Sequence, residues 1–257
     1  MDSDTLLGNF KKHHEQEDLV EEVIRDFYSS YLSAAHSVTI DGGCHKGMHT
    51  VPLSHCCQRV IAVDANPDMC AFLAKQLQAI GSNNCEILSA ALQDDENADS
   101  VTFFVADNFL GRSSITRLWD AIDKDVIYRQ IEVPATTIDR LVRDREVDRV
   151  DFIKLDLEGG EYKALRGAEN VLRRDSPVFV MENSVHAAKQ GGFLETDPFD
   201  FLNDCGYELL APNGSIVLRN SPFPFWYLFG IPSARLTEVK PRLEAAYLGI
   251  CKSRGLI

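Results

Sequence analysis

The sequence predicts an α/β fold: a mostly parallel, seven-stranded sheet with helices on both faces and an antiparallel pair at one edge. Three observations carry this. Short apolar runs alternate with stretches of helical period, the pattern of parallel strands buried under helices on both sides. The leading runs end in Asp or Gly, at the strand ends where open sheets of this kind hold their ligands. Late in the chain, two short strands flank a tight Pro-Asn-Gly turn, which argues for an antiparallel hairpin.

The elements follow in order. Residues 1–36 read as a helical segment of the same domain and a candidate cover for an acceptor site, with 37–257 as the domain proper. A helix is expected from Glu17 to Leu32, with Val20, Val23, Ile24, Phe27 and Tyr31 on one face. Val38–Asp41 and Arg59–Asp64 are strands. Asn66-Pro67-Asp68 starts a helix with Pro in its first turn; Cys70, Leu73, Leu77 and Ile80 share a face, and Gly81 stops it. Cys85–Leu88 is the third strand, and Val101–Val105 and Ile131–Pro134 add extended segments. Val150–Asp156 is the fourth main strand, followed by a helix from Glu161 to Arg173, and Pro177–Glu182 is the fifth. A helix near Pro198–Cys205 ends at Gly206, and the hairpin strands are Tyr207–Ala211 and Ser215–Arg219. The run Phe223–Phe229 is too apolar for a free loop; it is assigned to core or homodimer packing, or to a lid over the acceptor.

Composition narrows the function classes. With 257 residues the chain suits one large domain, and a net charge of −13 disfavours a phosphate backbone or an anionic membrane as partner. The seven cysteines include no C-x-x-C pair, so neither a disulfide framework nor a zinc site is expected. The opening residues are too polar for a secretory signal, and no run is long enough to span a bilayer. A soluble, cytoplasmic protein without nucleic-acid or membrane partners is expected.

The first strand ends in Asp41-Gly42-Gly43-Cys44-His45-Lys46-Gly47, where glycines let backbone lie against a ligand. The second ends in Asp64, whose carboxylate can accept both hydroxyls of a ribose. A dinucleotide site wants G-x-G-x-x-G and a helix N-terminus aimed at a pyrophosphate. Glycines at 42, 43 and 47 do not fit that spacing, and Asp41 would face the pyrophosphate's charge. S-adenosylmethionine (SAM) has no phosphate and carries a sulfonium and an ammonium, so an acid here is favourable. The cofactor read from these residues is SAM.

From Val150 to Glu161 the sequence, VDFIKLDLEGGE, resembles the FkbM family of SAM-dependent methyltransferases, whose hallmark is a strand ending D-hydrophobic-E-G-x-E. Matching stretches are Asp41–Gly47, Ala65-Asn66-Pro67, Ala90-Ala91-Leu92, Thr137-Ile138-Asp139, Leu165–Ala168 and Glu182. The resemblance implies a Rossmann-like class I methyltransferase fold and O-methylation of a sugar or natural-product hydroxyl. Carried over by position, Asp41, Gly43 and Gly47 line the methionine part of SAM. Asp64 holds the ribose, Ala65 and Asn66 sit near the adenine, and Ala91 lies beside it. The chain departs from the family pattern at Cys44-His45, where Ala-Asn is frequent, and at Asp64, where Glu is frequent. A shorter acid still reaches a ribose, so Cys44 and His45 count among the expected cofactor contacts, with Asp156 near the methyl group.

Methyl transfer to oxygen needs alignment and a nucleophile freed of its proton. Asp156, Glu158, Glu182 and His186 are the candidates for the catalytic role. One of them can act as general base; alternatively Asp156 and Glu182, with Glu158, can hold a divalent cation such as Mg²⁺. Glu161 is a further candidate, with support of the helix N-terminus as its structural alternative, and Glu158 can instead cap the turn at Gly159-Gly160. His45 and His49 lack a third ligand for zinc. The place of Lys154 in the family pattern implies half of a structural ion pair, and Ser113 and Ser114 read as either a loop over the cofactor crevice or a plain turn. The acceptor is expected to be a small molecule bearing a hydroxyl. N-methylation of an amine or peptide uses the same cofactor site, and a non-catalytic SAM-binding protein has no use for buried carboxylates.

Overall fold

The computed structural model describes residues 18–117, 125–183, 193, 196–219 and 226–257. His186 and Phe223–Phe225 lie outside them. The N-terminal helix α1 occupies residues 18–31 and is followed by β1 (Val38–Gly42), α2 (Thr50–Cys56), β2 (Arg59–Asp64), α3 (Pro67–Ala79) and β3 (Cys85–Ser89). Next come β4 (Ala91–Leu92), β5 (Ser100–Ala106), β6 (Tyr128–Thr136) and α4 (Ile138–Asp144). The second half holds β7 (Phe152–Leu155), α5 (Glu161–Arg166), α6 (Glu169–Asp175), β8 (Val178–Glu182) and α7 (Asp197–Asp204). It closes with β9 (Tyr207–Leu210), β10 (Tyr227–Pro232) and α8 (Leu236–Ser253).

Seven strands form one sheet in the order β3-β2-β1-β7-β8-β10-β9, parallel except for β10, which runs antiparallel to both neighbours. Alternation along the strands sorts the core into two layers. Ile40, Ile61, Val63, Ile153, Leu155 and Met181 pack on one face under α4 to α7, with Ile138, Leu141, Leu165, Leu172 and Leu202. Val60, Phe152, Val180 and Phe229 pack on the other face, under α1, α2 and α8 with Ile24, Phe27, Leu53 and Leu243. Ala62, on that same face, meets Leu73 and Leu77 of α3. Each fully buried aliphatic or Phe side chain contributes roughly 1.5–3 kcal/mol. Asn66 opens α3 as expected, its side chain accepting from the Asp68 amide at 3.0 Å ahead of Pro67.

Two expectations need correction. The antiparallel edge pair exists, but its members are β9 and β10. Across the Pro-Asn-Gly turn the expected hairpin forms only briefly: Leu210 and Ile216 make an isolated antiparallel bridge, and the Ala211 and Val217 amides donate to the Ser215 and Leu209 carbonyls, each at 2.8 Å, so Ser215–Arg219 is not a full strand. The apolar run that ends at Phe229 instead supplies the start of β10, which is hydrogen-bonded on both sides and therefore apolar throughout. The helix expected from Glu161 to Arg173 is two helices, separated at Gly167, where a Cβ would stand 2.0 Å from the Gln93 carbonyl oxygen. The extended segments at 101–105 and 131–134 belong to β5 and β6, which pair antiparallel in a small second sheet, β4-β6-β5. Among the described residues no helix is long and apolar enough to cross a membrane.

Candidate active site

Because β1, β2, β7 and β8 are parallel, their carboxyl ends gather on one edge of the sheet, and a cleft of about 410 Å³ opens there. The turn after β1 forms its floor. Gly43 has φ +77°, and a Cβ on it would lie 1.8 Å from the carbonyl oxygen of Asp156. The Gly43 and Cys44 amides donate to the Val63 carbonyl at 2.8 and 3.1 Å, which holds the turn against β2. Asp64 completes the arrangement: its carboxylate accepts from the backbone amides of His45 and Asn66, both at 2.7 Å. Burial pushes the Asp64 carboxyl up to about 6, although those two amides oppose the shift. Burial, with Lys46 nearby, lowers the His45 imidazole below its ordinary value.

Below this turn lies a buried charge cluster. Asp41 and Lys154 are register partners on β1 and β7, with Nζ 3.7 Å from Asp41 Oδ1. Lys154 also donates to the Gly43 carbonyl and to Asp156 Oδ2, each at 3.3 Å. Burial disfavours its charge, yet Asp156 and Asp41 outweigh burial and raise its pKa. The remaining oxygen of the pair accepts from Thr50 Oγ1 at 2.6 Å. Lys154 therefore is the ion-pair residue that its place in the family pattern implies.

The acidic wall comes from the ends of β7 and β8. One carboxylate oxygen from each of Asp156, Glu158 and Glu182 lies within 4.8 Å of the others, and all three residues line the cleft. Glu158 adopts φ +52°, a left-handed conformation that non-glycine residues seldom hold. Glu161 enforces it. Its buried carboxylate accepts from the Leu157 amide at 2.6 Å and the Gly159 amide at 3.1 Å, and burial raises its pKa to about 7. Glu161 thus ties the turn at Gly159 through its carboxylate.

The expected cofactor residues divide by position. Gly43, Cys44, His45, Asp64, Ala65, Asn66 and Asp156 line the cleft. Asp41 lies buried beneath it, Gly47 faces Leu73 of α3, and Ala91 packs behind the wall with Ala65 and Phe103. Asn66 Nδ2, His45 Nε2 and Asp41 Oδ1 are buried without a hydrogen-bond partner around this cleft. Ser113 lines the cleft, whereas the Ser114 hydroxyl turns to the Thr116 carbonyl. His49 Nε2 meets Glu21 Oε2 at 2.6 Å.

A sequence profile for the methyltransferase FkbM domain matches residues 41–209, well over half of the chain. The chain belongs to the FkbM methyltransferase domain family. Similar solved structures include the FkbM methyltransferase of Methylobacillus flagellatus KT, at 16% identity and a TM-score of 0.47, covering 79% of this chain and 47% of that one. The chain therefore spans about half the length of the Methylobacillus protein. An rRNA methylase of Streptococcus thermophilus aligns at 12% identity and a TM-score of 0.42, covering 81% and 93% of the two chains. A Streptococcus mutans protein whose structure holds S-adenosylhomocysteine (SAH) aligns at 15% and 0.45, covering 82% and 96%. No curated protein matches the sequence.

In this FkbM domain the cleft also has walls that sequence reading does not name. Asp18, Glu21 and Arg25 of α1 and Tyr227 of β10 line it. The spacing of the three α1 residues puts them on one helix face, but such a polar stripe reads equally as a solvated surface. Tyr227 is hidden by the apolar run around it. Glu21 is held by His49: burial raises its carboxyl, but the His49 hydrogen bond and charge outweigh that and hold it down at about 2.

Proposed function

We propose that the protein is a SAM-dependent methyltransferase that methylates a hydroxyl of a small molecule, of sugar or polyketide type. The observation that carries this is the floor of the cleft, where Asp64 fixes the turns after β1 and β2 and two buried polar atoms of cleft-lining residues, Asn66 Nδ2 and His45 Nε2, have no hydrogen-bond partner. Such atoms are normally satisfied, so they mark places where a polar ligand belongs. The residues fit the cofactor. Asp64 would hold the ribose hydroxyls, Asn66 and Ala65 would meet the adenine, and the turn from Gly43 would face the cationic methionine end, with Asp41 buried beneath it. The acidic surroundings suit a cation and oppose a pyrophosphate. Bound SAM supplies an activated methyl group on a positively charged sulfur.

The chain's own residues then orient the acceptor and take its proton. Asp156 is pinned through Oδ2 by Lys154, and with Glu182 and Glu158 it forms the wall where an acceptor hydroxyl loses its proton to a carboxylate oxygen. The same three carboxylates have the oxygen chemistry for a hard divalent cation, which would lower the hydroxyl's pKa. The negative net charge and cleft agree with a small-molecule acceptor and disfavour nucleic acid.

Calorimetry with SAM, SAH and NAD tests the reading. Binding of the first two at micromolar strength is expected, abolished by Asp64→Ala. Asp156→Asn should keep binding and lose methyl transfer to a metabolite extract, followed as a one-methyl mass gain. Tight NAD binding with no response to SAM would overturn the assignment. Activity lost to a chelator and restored only by Mg²⁺ would select the cation-assisted form.

A further inference from the structure

The charge of the cleft is one-sided. Among the described residues, six carboxylates line it, those of Asp18, Glu21, Asp64, Asp156, Glu158 and Glu182, against the two strong bases Arg25 and Lys154. The chain itself answers both bases. Lys154 is 3% exposed and stands between Asp41 and Asp156, at 3.7 and 3.3 Å. Arg25 leans on Glu21 Oε2 at 3.4 Å, and His49 Nε2 meets the same oxygen at 2.6 Å. Burial and the nearby Lys46 hold the His45 imidazole below its ordinary value, so it brings little charge at neutral pH. Bound SAM adds only one net positive charge, a sulfonium and an ammonium against one carboxylate. Negative charge therefore remains where α1 and the ends of β7 and β8 border the cleft, and the low-dielectric walls focus it. That the cleft takes a polar ligand has separate support: Asn66, 2% exposed, lines it with Nδ2 unpartnered.

Resting on the function proposed above, we propose that the acceptor carries a protonated amine beside its hydroxyl, as an amino sugar does, and that Glu158 and Glu182 hold the ammonium, with Asp18 attracting it from the rim. The spacing permits this. Carboxylate oxygens of Asp156, Glu158 and Glu182 lie within 4.8 Å of one another, and an ammonium donating at about 2.8 Å to each of two oxygens bridges such a gap. With the amine seated there, a neighbouring hydroxyl comes to Asp156, whose Oδ2 Lys154 fixes. Asp18 is exposed, so its attraction acts at longer range and is screened by salt. A uronic acid or a sugar phosphate would meet like charge on the same wall.

Calorimetry on the SAH-saturated protein at pH 7.5 tests the proposal with a matched set of probes: 6-amino-6-deoxyglucose, glucose, the N-acetyl derivative of the amine, and glucuronate. SAH has no net charge, so its own affinity reports the integrity of the cleft. The amine should bind at least tenfold more tightly than glucose or its N-acetyl derivative, and glucuronate should bind weakest. The preference should shrink at least threefold between about 20 and 500 mM NaCl. Asp18→Lys should reduce it at least threefold at low salt, and Glu158→Gln combined with Glu182→Gln should abolish it, with SAH affinity within threefold of wild type in both. Equal binding of amine and glucose, no binding of the amine, or a preference that these variants leave intact would overturn the proposal. Loss of the preference in about 5 mM MgCl₂ would also overturn it, by giving the carboxylates to a divalent cation. Failure of the wild-type protein to bind SAH would instead defeat the function on which it rests.

Discussion

The α-carbon of Gly43 and the carbonyl oxygen of Asp156 are packed so closely that no side chain fits between the turn after β1 and the end of β7: a Cβ would stand 1.8 Å from that oxygen. The contact joins the floor of the cleft to its acidic wall. Gly43→Ala must push the two apart and also accept φ +77°. The conformational strain alone costs about 1–3 kcal/mol. Thermal denaturation should show a clear loss of stability, and calorimetry a drop in SAH affinity of more than tenfold. Unchanged SAH binding would separate the turn from the cofactor site.

Cofactor affinity should depend on pH through Asp64. Its carboxyl, raised by burial to about 6, is charged above that pH and protonated below it. On the proposed reading a ribose hydroxyl would donate to the charged form, so lowering the pH from 7.5 to 5 should weaken SAH binding by about tenfold, with the fall centred below pH 6. Asp64→Asn should bind weakly and lose this dependence.

Glu161 ties two backbone amides of the Leu157–Gly160 turn. Removing it in Glu161→Ala leaves buried donors unpaired, at about 1–3 kcal/mol. The pH dependence has a definite sign. The folded-state pKa of about 7 lies above the ordinary 4.5, so the stability associated with the protonated form is full below pH 4.5 and lost as pH rises through 7. Wild type should therefore lose ground to Glu161→Gln between pH 4.5 and 8 in denaturant titrations. A constant difference across that range would refute the assignment.

On β10, Gly230 lies against the ring of Phe179 on β8, where a Cβ would come within 2.0 Å of ring carbons. Gly230→Ala should destabilise by about 1–3 kcal/mol through overpacking, while SAH binding in the folded fraction is retained. A melting temperature equal to wild type would show that the strand yields more easily than its packing indicates.

The sequence displays what depends on local chemistry and hides what depends on distant partners. The parallel strands, the glycine turn and Asp64 are legible because each is written in a contiguous run. Lys154 is legible as half of an ion pair through its place in the family pattern, whereas its partner Asp41 lies on a distant strand and becomes visible only in the register of β1 with β7. The partner of β9 is not legible either: the residues next in sequence carry a good turn, and the preference for a local hairpin hides a strand that arrives later. Glu21 and Tyr227 are invisible for a related reason. A polar helix face and an aromatic residue in an apolar run become walls of the cleft only when the fold brings them to the strand ends.

The placement of β10 between β8 and β9 sets a schedule for biosynthesis. Both flanking strands leave the ribosome before the strand that separates them, so the outer edge of Val178–Glu182 has no native partner until Tyr227–Pro232 has been made. During that interval an apolar edge with free backbone amides and carbonyls is open to pairing with other nascent chains. Slow translation before codon 227 would lengthen that exposure and lower the soluble yield, an effect that no property of the finished protein reveals.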